Sequence, residues 1–405
     1  MKIKNCRICK SSKLIKLFSL GNLAFTGKFP QKKQIIKKKP IDLIICSKCE
    51  LVQLRHNFDL NYLYGPDYGY KTGINKTMLN HVKNVVKILS NKTKLKKNES
   101  VLDIASNDGS LLKFYNKSVI TFGIDPILNK YKKEYKKINY YISDFFSANK
   151  VKEKYKDKFK IITALSVFYD AKDPNKFLQD VKSLLCDEGV FMVEFADLYS
   201  ILKYKMFDTI CHEHLEYYSS KVIVNLAKKN GLRVFDIKDN DINGGSKQYF
   251  ICHKYSNYKN NQKVINKILN DEKSLKLSNP KTFEKFFKNI QSLKFKLTKL
   301  IKGLRKKEKI VHCYGASTKG NVLLQYFDID SKLIKYAAER NDKKINLFTP
   351  GTKIEIISEK KSRLLRPDFY LVLPWHFREE ILKREKVMRS QGTKFIFPLP
   401  SVDIV

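Results

Sequence analysis

Two of the chain's seven histidines flank one glutamate at His212-Glu213-His214, inside the run Ile210-Cys-His-Glu-His-Leu-Glu-Tyr-Tyr-Ser219. Imidazole titrates near neutral pH, so a His-Glu-His run suits proton transfer. Two histidines two apart share a face on a strand, which also suits a metal ion. A hydrogen-bonded packing histidine is the third reading, and it is the one given to His212.

Four thiols form a second set, Cys6-Arg-Ile-Cys9 and Cys46-Ser-Lys-Cys49. Two C-x-x-C knuckles joined by a loop can set Cys6, Cys9, Cys46 and Cys49 tetrahedrally around Zn²⁺, with Arg7, Lys10 and Lys48 favouring the thiolates. Such a site is structural, because four cysteines leave no position for water. The loop over 10–45 is long enough to hold strands of its own.

Elements must position these groups, and the spacing of apolar residues indicates which. The run Ser100-Val-Leu-Asp-Ile-Ala-Ser-Asn-Asp-Gly-Ser110 reads as a strand entering a loop of small residues, followed by a helix over LLKFY. Without G-x-G-x-x-G this loop suits a methyl-donor nucleoside better than a dinucleotide. Asp103, Ala105, Asn107 and Gly109 are the candidate contacts. The next strand ends at Asp125, whose two oxygens can hold ribose hydroxyls. Asp144-Phe145 after a third strand either meets an adenine or supplies a helix N-cap. With strands at 160–165 and 190–194 and a helix between them, the pattern is doubly wound α/β.

Upstream, Tyr64-Gly-Pro-Asp-Tyr68-Gly-Tyr70-Lys-Thr-Gly73 is a Gly/Pro-rich turn whose tyrosines either face a pocket or stand exposed. Downstream, Asn243-Gly244 opens a turn into an alternating strand, and 261–307 reads as a helical hairpin with a solvated lysine face. Then Lys309-Ile-Val-His-Cys-Tyr-Gly-Ala-Ser-Thr-Lys-Gly-Asn321 starts a second strand-loop-helix unit. Its small residues and Lys319 are what a diphosphate would need.

At 405 residues the chain is expected to form two or three domains, and 43% hydrophobic residues with 26 Phe and 22 Tyr exclude a disordered chain. The net charge of +40 is spread along the sequence as lysine, without an Arg-rich arm. It is read as compositional and as favouring anionic small ligands, and nucleic acid is not expected as a partner. No apolar run could span a bilayer, and MKIKNCRICK has no signal-peptide core. The expected location is the cytoplasm, with the eight cysteines reduced.

Taken in order, the paired C-x-x-C, YGYKTG, VLDIASNDGS, FGIDP, ICHEHLEYYS, NGGS, YGASTKGN, FTPGT and PDFYLVLPW resemble the S-adenosylmethionine-dependent sugar C-methyltransferases over nearly the whole chain. The resemblance implies an α/β protein with an N-terminal zinc-binding domain (1–66), a central Rossmann-like methyltransferase domain (67–258), a helical linker (259–308) and a C-terminal Rossmann-like domain that binds the nucleotide sugar (309–405). It implies methyl transfer to carbon, C3, of a nucleotide-linked 4-keto-6-deoxy sugar in branched-sugar biosynthesis. By position, His214 is the base, Glu213 the carboxylate that orients it, and Tyr70 a pocket tyrosine near the sugar or its enolate. Tyr68, Tyr169, Asn243, Gly244, Lys319 and Asn321 fall on the acceptor side. Three residues depart from the family pattern: Cys211 stands for a tyrosine, Tyr169 for a histidine and Ala105 for a glycine. A methyltransferase of RNA and a sugar-binding relative without activity are the competing classes.

Overall fold

The computed structural model describes residues 1–65 and 68–405. Pro66 and Asp67 lie outside the described residues; they belong to the tyrosine turn and straddle the boundary expected between the first two domains.

Near the N-terminus β1 (Leu14–Ala24), β2 (Lys38–Cys46) and β3 (Val52–Leu54) form an antiparallel sheet, so the long cysteine loop does carry strands. The helix Lys76–Thr93 follows. The Asn75 side chain caps it by accepting from the amides of Thr77 and Met78, and its buried face repeats at Met78, Val82, Val85, Val86 and Leu89.

Five parallel strands come next: β4 (Ser100–Ile104), β5 (Ile120–Ile124), β6 (Tyr140–Ile142), β7 (Phe159–Leu165) and β8 (Leu185–Phe195). All of β4 is buried, as expected of a strand covered on both faces. Between β8 and the end of the sheet, β9 (Glu216–Tyr217) leaves it and pairs with β3 of the N-terminal sheet. The strands β10 (Leu232–Asn240) and β11 (Ser246–His253) then complete a seven-stranded sheet of order β10-β11-β8-β7-β4-β5-β6. β11 sits between β10 and β8 and is buried along nearly its whole length, so the alternation expected of it is absent. The helix expected over LLKFY is one 3-10 turn, Leu112–Phe114. The Asp108 carboxylate accepts from the Ser110 amide and hydroxyl at 3.2 and 2.7 Å, closing the loop locally.

Helices Gln262–Ser274 and Pro280–Lys306 lead to β12 (Val311–Tyr314), β13 (Tyr336–Glu339), β14 (Glu355–Ser358), β15 (Phe369–Val372), β16 (Lys394–Phe397) and β17 (Asp403–Ile404). These form a six-stranded sheet of order β14-β13-β12-β15-β16-β17. The longer helix has a lysine face, and its other face buries Phe283, Phe286, Ile290, Leu293, Leu297 and Ile301 at steps of three and four. That stripe lies in one apolar core with Phe18, Leu43 and Val52 of the first sheet and Cys313, Val322 and Tyr370 of the third unit. Phe287 stacks on Phe18 at 4.9 Å. Far from a free connector, the helix is the packing surface between the two ends of the chain.

Both parallel sheets reverse strand order at their first strand, at β4 and at β12. Loops leaving a switch point diverge and open a crevice, and the two crevices face one cleft.

Candidate active site

The cleft has a volume of about 640 Å³ and is lined from β4, β5, β7 and β8, the tyrosine turn, the 211–214 segment and the third sheet. One wall, expected to meet the methyl donor, is the loop after β4. Ala105, Asn107 and Gly109 all have positive φ there, at 58°, 51° and 70°. An alanine at such φ is strained by about 1–2 kcal/mol, a conformation that glycine adopts without that cost. At Gly109 a Cβ would come within 2.6 Å of Ile138 Cδ1, so this glycine shapes the loop from behind rather than lining the cleft. Asp103 accepts from Thr163 Oγ1 at 2.6 Å, and burial pushes its carboxyl up to about 7. Asp125 accepts from the amides of Asn107 and Ile127 at 2.9 and 2.8 Å; burial outweighs both bonds and raises it to about 6. Asn107 is a staple: its Oδ1 accepts from the Thr72 amide at 3.0 Å and its Nδ2 donates to the Tyr70 carbonyl at 3.3 Å. Phe145 lines the cleft, whereas Asp144 does not. The latter pairs with Lys150, which holds it below the usual carboxylate range, and accepts from the Phe145 amide.

His214 lines the same cleft. Its Nδ1 lies 2.7 Å from the Thr209 carbonyl, which can only accept, so Nδ1 carries the proton and Nε2 the lone pair. Burial, aided by the Lys319 charge, pushes its pKa down to about 3, and the ring is neutral. Tyr169 packs on it with ring centres 4.1 Å apart, and the Tyr169 carbonyl accepts from the Leu215 amide at 2.8 Å. Glu213 does not orient His214. Its carboxylate turns to the first unit and accepts from the Gly27 amide at 3.1 Å and Thr26 Oγ1 at 3.2 Å, while burial raises its pKa. Cys211 is buried beside it. His212 points away, wedged against Phe25 and Phe58 with ring centres at 4.6 and 4.9 Å and Nε2 3.1 Å from the Lys39 carbonyl. The two histidines therefore do not share a face, and among the described residues the four cysteines are the cluster able to hold a metal.

Tyr64, Tyr68 and Tyr70 all line the cleft. Tyr64 donates to Asp170 at 2.5 Å, Tyr68 packs 5.1 Å from Tyr64, and Tyr70 is 45% exposed along the opening. Lys319 lies at the base of the cleft rather than in a phosphate cradle: Nζ donates to the Asn243 carbonyl at 3.0 Å, near enough to His214 and Cys211 to act on them electrostatically. Burial lowers its pKa. Asn321 is fully buried and donates to the Thr26 carbonyl at 2.8 Å, bracing the turn that holds Glu213. Asn243 reaches the cleft, but Gly244 does not. Its φ of 92° and a Cβ clearance of 2.7 Å to Trp375 show that it admits the indole, whose Nε1 donates to Asp208 at 2.8 Å.

Several site residues have no signature in the sequence. The Thr209 carbonyl is backbone, and Glu194 meets His81 Nε2 at 2.7 Å across 113 positions. Arg340, Lys344 and His376 also enter the cleft from segments without a motif.

The four cysteine Sγ atoms lie within 4.8 Å of one another, with Cys6–Cys49 at 3.5 Å and Cys9–Cys46 at 3.4 Å. Tetrahedral Zn–S bonds of about 2.3 Å need sulfurs about 3.8 Å apart, so the set fits zinc. Arg7, between the first two cysteines, donates to the Leu54 carbonyl at 2.7 Å and pairs with Glu216, the first residue of β9, at 3.3 Å. The zinc knuckle is thereby bonded to the segment that carries His214.

Three families match the chain in order. Residues 6–64 match a zinc binding domain, 78–237 a methyltransferase domain and 241–400 the C-methyltransferase C-terminal domain. C-methyltransferase NovU of Streptomyces niveus is 27% identical, over all of this chain and 97% of its own length. An S-adenosylmethionine-dependent methyltransferase of Clostridium acetobutylicum aligns with 43% of this chain and 92% of its own at 14% identity and a TM-score of 0.35. Magnesium protoporphyrin IX methyltransferase of Synechocystis aligns with 48% of this chain and all of its own at 15% identity and a TM-score of 0.35. These matches support an S-adenosylmethionine-dependent C-methyltransferase with zinc in its cysteine cluster, similar along its whole length to a protein of that activity and matching in order a zinc-binding domain, a methyltransferase domain and a C-methyltransferase C-terminal domain.

Proposed function

We propose that the enzyme methylates C3 of a nucleotide-linked 4-keto-6-deoxy sugar, for branched-sugar biosynthesis. The observation that carries this reading is a neutral His214, its Nε2 unprotonated, beside the Lys319 ammonium and in one cleft with the loop after β4. A proton on carbon next to a ketone leaves only to a base in reach and only if the enolate oxygen is stabilised.

S-adenosylmethionine supplies an electrophilic methyl on a sulfonium. Nε2 of His214 takes the C3 proton, and the C–H electron pair becomes the enolate, its charge on the C4 oxygen. Lys319 faces that oxygen. Before the reaction an imidazolium beside an ammonium is disfavoured, so His214 enters as free base; the enolate then supplies the negative charge that accommodates both cations. Tyr70 and Tyr68 confine the sugar, and Tyr169 fixes the plane of the imidazole. Asp125 holds the donor ribose, Asp103 and Asn107 keep the donor loop in shape, and Phe145 covers the adenine. The enolate electron pair on C3 would then form the bond to the methyl as the methyl–sulfur bond breaks, its pair staying on sulfur to leave S-adenosylhomocysteine, and His214 returns its proton to water. The proposed units are 1–66, 67–258, 259–308 and 309–405, with the acceptor's nucleotide on the third sheet's side.

Zinc-loaded protein incubated with S-adenosylmethionine and a panel of nucleotide-linked 4-keto-6-deoxyhexoses tests this. The expected product has gained a methyl on carbon by mass and NMR. Protein that binds S-adenosylhomocysteine and methylates none of the panel would refute the acceptor assignment.

A further inference from the structure

Asp170 ends the turn Phe168–Asp170 that follows β7, next to Tyr169, whose ring packs on His214 with centres 4.1 Å apart. It lines the cleft and is 7% exposed. Its Oδ2 accepts from the Tyr64 hydroxyl at 2.5 Å, while its Oδ1 is buried and has no partner among the described residues. Two further buried carboxyls, Glu213 and Glu216, lie near enough to act on it electrostatically.

Three carboxylates cannot crowd one apolar place unless each charge is compensated. Glu216 has the Arg7 guanidinium at 3.3 Å, and arginine keeps its charge. Glu213 accepts from the Gly27 amide at 3.1 Å and from Thr26 Oγ1 at 3.2 Å. Asp170 has one phenol, and among the described residues the charges acting on it are the two glutamates. The proton of the cluster therefore belongs on Asp170. Burial pushes its pKa well above the usual carboxylate range; the Tyr64 bond opposes that, and Glu213 and Glu216 add to it. The other titratable groups around it, the phenols of Tyr64, Tyr68, Tyr169, Tyr217 and Tyr218 and the Cys211 thiol, are themselves held neutral by burial. With Tyr64 donating to Oδ2, the hydrogen sits on Oδ1 as a donor without an acceptor. Such a buried group in a cleft wall calls for an oxygen on the ligand. Cys211 is within electrostatic reach of both Asp170 and Lys319, which places the two on the same stretch of cleft as His214.

We propose that Asp170 donates its Oδ1 hydrogen to the C4 oxygen of the acceptor, together with Lys319, as that oxygen becomes an enolate. No bond to the hydrogen breaks. It stays on Oδ1, and its attraction to the oxygen grows as negative charge develops there. The proposal rests on the reading that the acceptor is a 4-keto sugar.

The test compares Asp170→Asn, Asp170→Ala and Tyr64→Phe in the full zinc-loaded chain, with S-adenosylhomocysteine affinity as the control for folding. Asparagine is neutral, can accept from Tyr64 and still donates, so Asp170→Asn should keep kcat within about tenfold, whereas Asp170→Ala should lose about 10²–10³-fold. Tyr64→Phe should cost less than Asp170→Ala, and equal losses would reduce Asp170 to a strut under the tyrosine turn. Asp170→Asn as inactive as Asp170→Ala would mean that a carboxylate is needed, and parent-like turnover in Asp170→Ala would remove the role; either overturns the proposal. Infrared difference spectra of parent against Asp170→Asn at pH 7.5, without acceptor, should show the C=O stretch of a protonated carboxyl. Its absence would also overturn the proposal, whatever the acceptor. If that band is present and the parent methylates no 4-keto sugar, the acceptor reading fails and takes the enolate role with it, while the neutral carboxyl stands.

Discussion

One backbone carbonyl sets the chemistry of His214. By accepting from Nδ1 it selects the tautomer and leaves Nε2 for the substrate. Replacing His214 by Gln should lower kcat by about 10²–10⁴-fold with the Kd for S-adenosylhomocysteine nearly unchanged, measured by single turnover and calorimetry. Lys319→Met should cost about 10²–10³-fold in kcat, with KM little changed, if the ammonium faces the enolate. A rise confined to KM would return Lys319 to a binding role. His214 also reports on stability. Its folded pKa, about 3, lies below the unfolded value near 6.5, so the unfolded chain takes the proton first. The stabilising contribution is complete above 6.5 and is lost as pH falls toward 3. Between pH 7.5 and pH 5 the parent should lose about 2 kcal/mol more than His214→Gln in denaturant titrations; equal losses would mean the imidazole is not held neutral. The residue types of this chemistry were legible in His-Glu-His, but not their partners. Glu213 looked like the orienting acid because it is adjacent in sequence, yet its carboxylate turns to the Gly27 amide. Lys319 read as a phosphate ligand because small residues surround it, and the fold spends them on packing instead.

At the scale of elements, His214 is positioned by the N-terminal sheet. β9 is two residues long and pairs with β3, and the Leu54 amide donates to the Leu215 carbonyl at 2.8 Å. Glu213 sits on the turn after β1, and Arg7 of the first cysteine knuckle pairs with Glu216. A Cβ on Gly27 would come within 2.9 Å of Glu213 Oε1. Gly27→Ala should displace the carboxylate and lower kcat by about tenfold or more, leaving donor affinity intact; loss of donor binding in equal measure would indicate general misfolding. Removing the metal with a chelator should speed hydrogen exchange at the Leu54 and Leu215 amides more than at the β4 amides, because the four thiolates hold the knuckle from which Arg7 reaches β9. Uniform exchange over both sheets would contradict the coupling. The parallel strands and the helix Pro280–Lys306 were legible because period and length identify them. A two-residue strand such as β9 leaves no periodicity to read.

At the scale of the molecule, the zinc unit holds the segment that carries His214, the middle sheet presents the loop after β4, and the third sheet closes the cleft with Gly315 to Lys319, so no single unit lines the whole cleft. The order of units could be read from the sequence, since strand-loop-helix runs and paired cysteines are local patterns. Their convergence could not, because it rests on contacts such as Asn321 to the Thr26 carbonyl, 295 positions apart. Among the described residues no helix is long and apolar enough to cross a membrane. The central claim is that the assembled cleft ionises carbon at His214. The most direct measurement is the loss of deuterium from C3 of a nucleotide-linked 4-keto-6-deoxyhexose in the presence of S-adenosylhomocysteine, followed by mass for the parent and for His214→Gln. The account predicts washout in the parent and none above background in the variant; washout at the same rate in both would contradict it.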